Sequence, residues 1–510
     1  MTWLSTTALF GACLLSGALG GRQPGRPTPM GRHLLFAILA GAVFAVSAAF
    51  WFAAFHLRGQ IIDEDFSEFC SCLGALSSGS SAGFSPKRSM AAGLLPAWFA
   101  PSFGLFDAFA IAGLISTGLI GAGLYVWGAS IKGSRAGFAA AAAGLTLGPL
   151  TLLPRMMSFY PQMIAGFVLA GAGAAWAIRT RQGLAMLAAG IGISLALLMD
   201  LRGLLWGVAL LPPCLLAALF SGGGWLQRAG RIALLLGPLW VSWSWLGPKA
   251  YPEITMALEA ETDQRMTLYK QGQLDPSVMP PFPRAPSYVF SRTPLTDVPL
   301  TLRFLSENAR LVKSIQRPEP RVIELRETVQ RWLVLTVGSF GAAALALRRR
   351  PWAVAALLCS CAPFLLAIEA IGVRMSGHAR YWATALPGVA VAFGVLWVLL
   401  SDLWPARLRA RVGAGAGGAL RVGVLALVVT GVLPTLASPV ASWRRFSADY
   451  EGQYADRVLE EAKTRELMKS SNRIACQRIL DRDQASGFGV WPTWYPRKST
   501  RPVPPDPHAP

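Results

Sequence analysis

The sequence predicts an all-α polytopic membrane protein on three observations: apolar runs of spanning length, a small charged fraction, and basic residues collected in alternate turns. Of its 510 residues, 53% are hydrophobic and 15% charged, where a soluble domain carries about 25% charged residues. Mean hydropathy is +0.44. A formal charge of +20 would point to nucleic acid in a soluble chain. No zinc-finger spacing, RNA-binding signature or long basic helix accompanies it, so no nucleic-acid partner is expected. The basic residues lie mostly in short turns between apolar runs, where they report topology.

A span needs roughly 20 mostly apolar residues. Such runs lie near 33–57, 104–129, 136–154, 160–178, 183–199, 203–220, 230–247, 331–347, 351–373, 381–400 and 420–438. These predict eleven helices, or twelve if the apolar run 3–20 also spans. That first run has no basic residue before it and makes a poor signal peptide. With Arg22, Arg26 and Arg32 in the cytoplasm, alternation places Lys132, Arg135, Arg179, Arg181, Arg228, Arg231, Arg348 to Arg350, Arg407, Arg409 and Arg411 inside. The outer turns then hold Arg155, Arg202, Arg374 and Arg380. Five regions follow: 1–32, an apolar segment and basic turn; 33–247, a transmembrane module with an outer loop at 58–103; 248–330, an external loop; 331–438, a second transmembrane module; and 439–510, an external tail.

Within the first outer loop, LLPAWFAPSFGLFDAF sets Trp98 and Phe99 between Pro96 and Pro101, a pattern for a segment lying along the membrane interface. In the 248–330 loop, Ile254, Leu258 and Met266 have a partly helical spacing, which predicts a surface helix. The following LDPSVMPPFPRAPSYVFSRTPLTDVPL is too rich in proline for a long helix. Seven cysteines are too few and too irregular for a disulfide scaffold. Cys359 and Cys361 read as small packing residues in a span, and a Cys70–Cys476 pairing outside remains open.

Two segments carry candidate chemistry. HLRGQIIDEDFSEF gathers Asp63, Glu64, Asp65 and Glu68 where the chain leaves the first span. Carboxylates there suit a general base, a divalent-cation site or sugar-hydroxyl recognition, and a solvated acidic turn is the plainer alternative. RMSGHARYWATALPG brackets His378 with Arg374 and Arg380 and continues into Tyr381. Guanidinium groups at the outer face suit phosphate; the alternative is an exit turn with snorkelling arginines and an aromatic belt. Glu369, inside the apolar run CAPFLLAIEAIGV, requires a partner or a water-filled cavity. Arg155 and Arg202 are weaker candidates for lining the site. Asp200 and Arg202, spaced i,i+2, do not share a helical face and fit a tight turn of ordinary loop charges.

HARYWATALPG resembles the H-x-R-Y…P segment of bacterial membrane glycosyltransferases of the GT-C superfamily, and IIDEDFSEF resembles the acidic motif opening their first outer loop. The resemblance covers the membrane core in outline and implies a GT-C-like helical core. It implies transfer of a sugar from a polyprenyl-phosphate-linked donor to a lipid, glycan or protein acceptor, in a bacterial cytoplasmic (inner) membrane. Carried over by position, it makes Asp63 or Asp65 the base, with Glu64 orienting it, and Arg380 the donor-phosphate ligand with Arg374 and His378. A divalent cation, Mg2+ or Mn2+, is compatible with Asp63 and Asp65, although many members need none. The WWD motif of oligosaccharyltransferases is absent. The rival readings are a multi-pass transporter or flippase for an envelope precursor, for which Pro212 and Pro213 would mark a broken helix, and a non-catalytic envelope assembly protein. Protein partners are not legible.

Overall fold

A computed structural model describes residues 30–55, 61–62, 89–103, 105–146, 150, 156–157, 159–251, 255–257, 287–289, 297–303, 352, 356 and 386–399. The expected elements at 3–20, 331–347 and 420–438 lie outside these residues. The described chain is helical, with two minimal strand pairs. α1 spans Met30–Phe55, α2 Leu94–Phe103, α3 Leu105–Lys132, α4 Ser134–Thr146, α5 Tyr160–Thr180, α6 Gly183–Met199, α7 Gly203–Leu219, α8 Trp225–Val241, α9 Gly247–Ala250 and α10 Leu386–Leu399.

Among the described residues, Gly31–Ala49, Ala108–Lys132 and Tyr160–Thr180 are long and apolar enough to cross a membrane; α6, α7 and α10 are shorter apolar helices. Within the run 136–154, α4 is described to Thr146 and Leu150 is helical; 147–149 and 151–154 lie outside the described residues. Pro212 and Pro213 lie within α7, which continues through them, so the broken helix that a transporter would use there is absent. In α8 the proline acts differently: four residues after Pro238 the helix widens into a π-helical turn, Ser242–Leu246, a common response to a break in the hydrogen-bond ladder. The expected interfacial segment is a separate helix, α2, with Trp98 81% exposed.

Small residues let the helices approach closely. In α1 and α3, Gly41 faces Gly118 and Ala122, while Gly121 faces Ala40 and Phe44; the two helices run antiparallel. Gly123 faces Val168, and Gly171 faces Trp127, so α3 and α5 run in the same direction. α3 folds back into α4 at Gly133, whose φ of +92° suits a residue without Cβ. α6 returns antiparallel to α5, with Gly173 against Ala188 and Ala189, and Gly192 against Leu169 and Ala170. At the centre of the α3–α5 seam Trp127 is fully buried. Its ring meets Trp206 edge-on at 6.4 Å, and Phe167 stacks on Trp206 at 4.8 Å. α10 closes on α4 where Gly394 meets Ala140.

These directions give the bundle two chemically different ends. The start of α1 and the turns at 133, 181–182 and 220–224 share one end, with Arg32, Lys132, Arg135, Arg179, Arg181, Arg228 and Arg231 on or beside them. There the Arg181 guanidinium donates to Phe220 O at 2.9 Å, and its centre lies 3.5 Å from the centroid of the Trp352 ring. Arg231 donates to Gly222 O at 2.7 Å and to the Ser221 hydroxyl. Within the described chain, the residues expected on the inner side thus gather together.

The opposite end carries the strands. β1, Ile61–Ile62, pairs in parallel with β2, Met156–Met157, in the register Ile61–Met156 and Ile62–Met157. β3, Thr255–Ala257, pairs antiparallel with β4, Ser287–Val289. Within the stretch where a surface helix is expected, residues 255–257 form a strand, and 258–266 lie outside the described residues. At these three residues backbone pairing with a partner distant in sequence overrides the local helical spacing, which pattern alone does not register. Downstream, Asp297 starts a short helical segment, 298–303, accepting from Leu300 N at 3.2 Å through Oδ1.

Candidate functional site

At the strand-bearing end, the chain reverses between α6 and α7 in three residues. Asp200 is extended, with φ −160° and ψ 147°. Gly203 N donates to Asp200 O at 2.8 Å and Leu204 N to Leu201 O at 3.0 Å. A side chain at Gly203 would overlap Ala196 O, so glycine lets α7 leave directly against α6. The turn leaves Asp200 only 2% exposed.

Its carboxylate is paired with its near neighbour. Oδ1 accepts from Arg202 N at 2.8 Å and from Arg202 Nε at 2.7 Å, while Oδ2 accepts from a terminal guanidinium nitrogen at 3.0 Å. The backbone bond is an Asx-turn contact, and the two side-chain bonds form a bidentate fork, the stronger class of charge-assisted hydrogen bond. Two residues that could not meet on a helical face thus meet across a turn. They are more than the ordinary loop charges expected: burial makes the pair obligatory, because either charge alone would be costly at this depth.

The guanidinium also fixes what lies before α5. The same terminal nitrogen is 3.4 Å from Met163 Sδ. The guanidinium carbon lies 5.9 Å from the Phe159 ring centroid and 5.8 Å from that of Tyr160, within cation–π range. Both rings are buried and lie 4.3 Å apart. Phe159 follows β2 by two residues, so Arg202 packs against the chain just beyond that strand.

Tyr251, just after α9, completes the cluster. It is fully buried, and its hydroxyl donates to Leu197 O at 3.0 Å. That carbonyl lies in the last turn of α6, where carbonyls lack helical partners. Burial, followed by the negative charge of Asp200, holds the phenol well above the ordinary tyrosine range; a Ser89 hydrogen bond and the Arg202 charge oppose them. Tyr251 therefore remains a neutral donor. Ser89 in turn starts a 3-10 turn, Met90–Gly93, accepting from Ala91 N at 3.1 Å.

Of the expected site residues, Arg202 lies among the described residues. Asp63, Glu64, Asp65, Arg155, Glu369, Arg374, His378, Arg380 and Tyr381 lie outside them. The backbone that flanks two of these positions is described: Ile62, immediately before Asp63, pairs with Met157, and Met156 immediately follows Arg155. Sequence reading missed Phe159, Tyr160, Met163, Tyr251 and Ser89 as neighbours of Arg202. FYP at the start of a span, and a tyrosine where the chain leaves α9, were the available signals. Among the described residues, no three His, Cys, Asp or Glu side chains gather as a metal site.

Fold and cluster together define a multi-span helical membrane protein with a buried, charged turn at one end of its bundle. No family model matches the chain, and no curated protein sequence matches it. Among solved structures it is similar to ArnT from Cupriavidus metallidurans bound to undecaprenyl phosphate, at 15% identity over 88% of this chain and 74% of that one, with a TM-score of 0.43. The apo state of the same ArnT gives 15% identity, 85% and 73% coverage and a TM-score of 0.41. The apo oligosaccharyltransferase of Archaeoglobus fulgidus gives 14% identity and a TM-score of 0.45, over 85% of this chain and 60% of that one.

Proposed function

We propose that this chain is a membrane glycosyltransferase moving a sugar from a polyprenyl-phosphate-linked donor to a lipid, glycan or protein acceptor. In this reading the strand-bearing end faces outward from a bacterial cytoplasmic membrane. The observation that supports it is the β1–β2 pairing. It brings the chain entering the acidic motif to the end of the bundle where the buried Asp200–Arg202 turn, Phe159 and Tyr251 converge. The motif resemblances at IIDEDFSEF and HARYWATALPG supply the chemistry.

In the proposed reaction, Asp63 or Asp65 takes the proton of an acceptor hydroxyl, and Glu64 orients the base. The acceptor oxygen forms a bond to the anomeric carbon as the bond from that carbon to the phosphate oxygen breaks. Polyprenyl phosphate leaves with the bonding electrons. Arg380, with Arg374 and His378, meets the growing phosphate charge. A single displacement of this kind inverts the anomeric carbon. Adjacent carboxylates are hard oxygen donors suited to Mg2+ or Mn2+; Asp63 and Asp65 would hold such an ion, which would supply further charge neutralisation.

The test combines mass spectrometry of polyprenyl-linked sugars and envelope glycans, with and without the gene, with turnover by the full-length protein. Asp63→Asn or Asp65→Asn should abolish transfer while lipid binding persists, and Arg380→Ala should weaken donor use more than folding. Near-wild-type transfer in all three variants overturns the proposed roles. Movement of an unmodified precursor into sealed vesicles would instead support a transporter.

A further inference from the structure

We infer that Asp200 and Arg202 are a positioning pair: their fork clamps the chain following β2 and thereby fixes β1, the strand leading into the acidic motif. The physical chain has four links. The Asp200 carboxylate holds the guanidinium through Nε and a terminal nitrogen at 2.7 and 3.0 Å. The guanidinium lies against the Phe159 and Tyr160 rings and the Met163 sulfur. Phe159 is two residues beyond Met157, and Met157 pairs with Ile62. Ile62 is covalently bonded to Asp63.

The strand pair needs such an anchor. Two residues per strand provide too few hydrogen bonds to hold themselves together in water, since even a complete two-stranded hairpin is marginal. Parallel pairing is also the weaker arrangement per residue. β1 and β2 must therefore be held by what lies on either side of them, and on the β2 side this is the Arg202 cluster. The arrangement also assigns Arg202 a role different from that of a phosphate ligand: its fork already meets a carboxylate. The consequence for sugar transfer rests on the function proposed above, whereas the consequence for the strands does not.

The experiment uses full-length protein in membranes, with its seven native cysteines replaced by alanine and Ile62→Cys and Met157→Cys added. Paired strands lie about 4.8 Å apart, within the usual Cα separation for a disulfide, about 4.4–6.8 Å. The parent should therefore cross-link readily. Arg202→Ala should slow cross-linking by about tenfold or more, because it removes one side of a buried pair. Arg202→Lys keeps a cation beside Asp200 without the fork or the planar face, and should give an intermediate rate. Should Arg202→Ala fail to give monodisperse protein, Phe159→Leu removes only the ring beneath the guanidinium and should also slow the reaction.

In the native-cysteine protein, Arg202→Lys should lower kcat with donor KM unchanged, normalised to monodisperse protein. Wild-type cross-linking in Arg202→Lys and Phe159→Leu overturns the inference, as does an unchanged kcat beside a raised donor KM. The two readings fail separately. Active Asp63→Asn and Asp65→Asn proteins would refute the catalytic assignment and leave the cross-linking result intact.

Discussion

Removing both partners of the Asp200–Arg202 pair should cost less than the two single removals added together. Arg202→Ala removes the guanidinium fork from a carboxylate whose side chain is 3% exposed. Breaking one side of a buried pair costs about 3–5 kcal/mol. The backbone N–H of residue 202 still donates to Oδ1 at 2.8 Å, which places the expectation near the lower end, at about 3 kcal/mol. Asp200→Ala leaves a guanidinium that is 21% exposed and reaches water. That variant also loses the acceptor of a backbone hydrogen bond, so about 2 kcal/mol is expected. The double variant retains neither charge. Its cost should be about 3 kcal/mol rather than about 5, a coupling energy of about 2 kcal/mol. Reversible unfolding of the detergent-solubilised chain in mixed micelles, followed by circular dichroism, gives all three values. Additivity within about 0.5 kcal/mol would refute the claim that the two groups act as one buried unit.

At the α3–α5 seam, Gly171→Ala should lower stability by about 1–2 kcal/mol even though alanine favours a helix by about 1 kcal/mol, because overpacking a rigid core costs more. The added Cβ would overlap the Trp127 ring, which Trp206 backs. Adding Trp127→Leu should restore part of the loss relative to Trp127→Leu alone; a thermal midpoint raised by Gly171→Ala would contradict the packing argument. Tyr251 predicts an alkaline limit. Its folded-state pKa is raised by burial and by Asp200, so the unfolded chain releases this proton first. The stabilisation is complete below the ordinary tyrosine value of about 10 and is lost as pH rises towards the folded value. Tyr251→Phe should flatten that decline between pH 9 and 11 in thermal midpoints, while costing about 1 kcal/mol at neutral pH through the lost bond to Leu197 O; an unchanged alkaline slope would refute it.

The helices were legible where apolar runs end at strong punctuation. The runs 183–199 and 203–220 became α6 and α7 within a residue, because Gln182, Asp200 and Gly203 mark their limits. The run 230–247 understated α8, which begins at Trp225; Gln227, Arg228 and Arg231 hide its first turns from a hydropathy window. β1 and β2 had no local signature, since two residues carry no period and their pairing joins positions distant in sequence. At 255–257 the helical spacing gave no sign of the strand for the same reason. Asp200 and Arg202 were readable as a tight turn, but not as a buried pair. Burial there depends on Phe159, Tyr160, Met163 and Tyr251 arriving from other helices, which the spacing between residues 200 and 202 does not encode.

The Arg181–Trp352 contact bears on how the chain is assembled. Synthesis delivers the α5–α6 turn and Phe220 O long before Trp352 leaves the ribosome, so it is the open face of the guanidinium that must first meet water or headgroups. Its aromatic face-mate arrives only with the later helices, as does Gly394, which completes the seat on Ala140. The early helices thus present a partly open surface that the late ones close. A chain truncated before Trp352 would leave that seam exposed to membrane quality control.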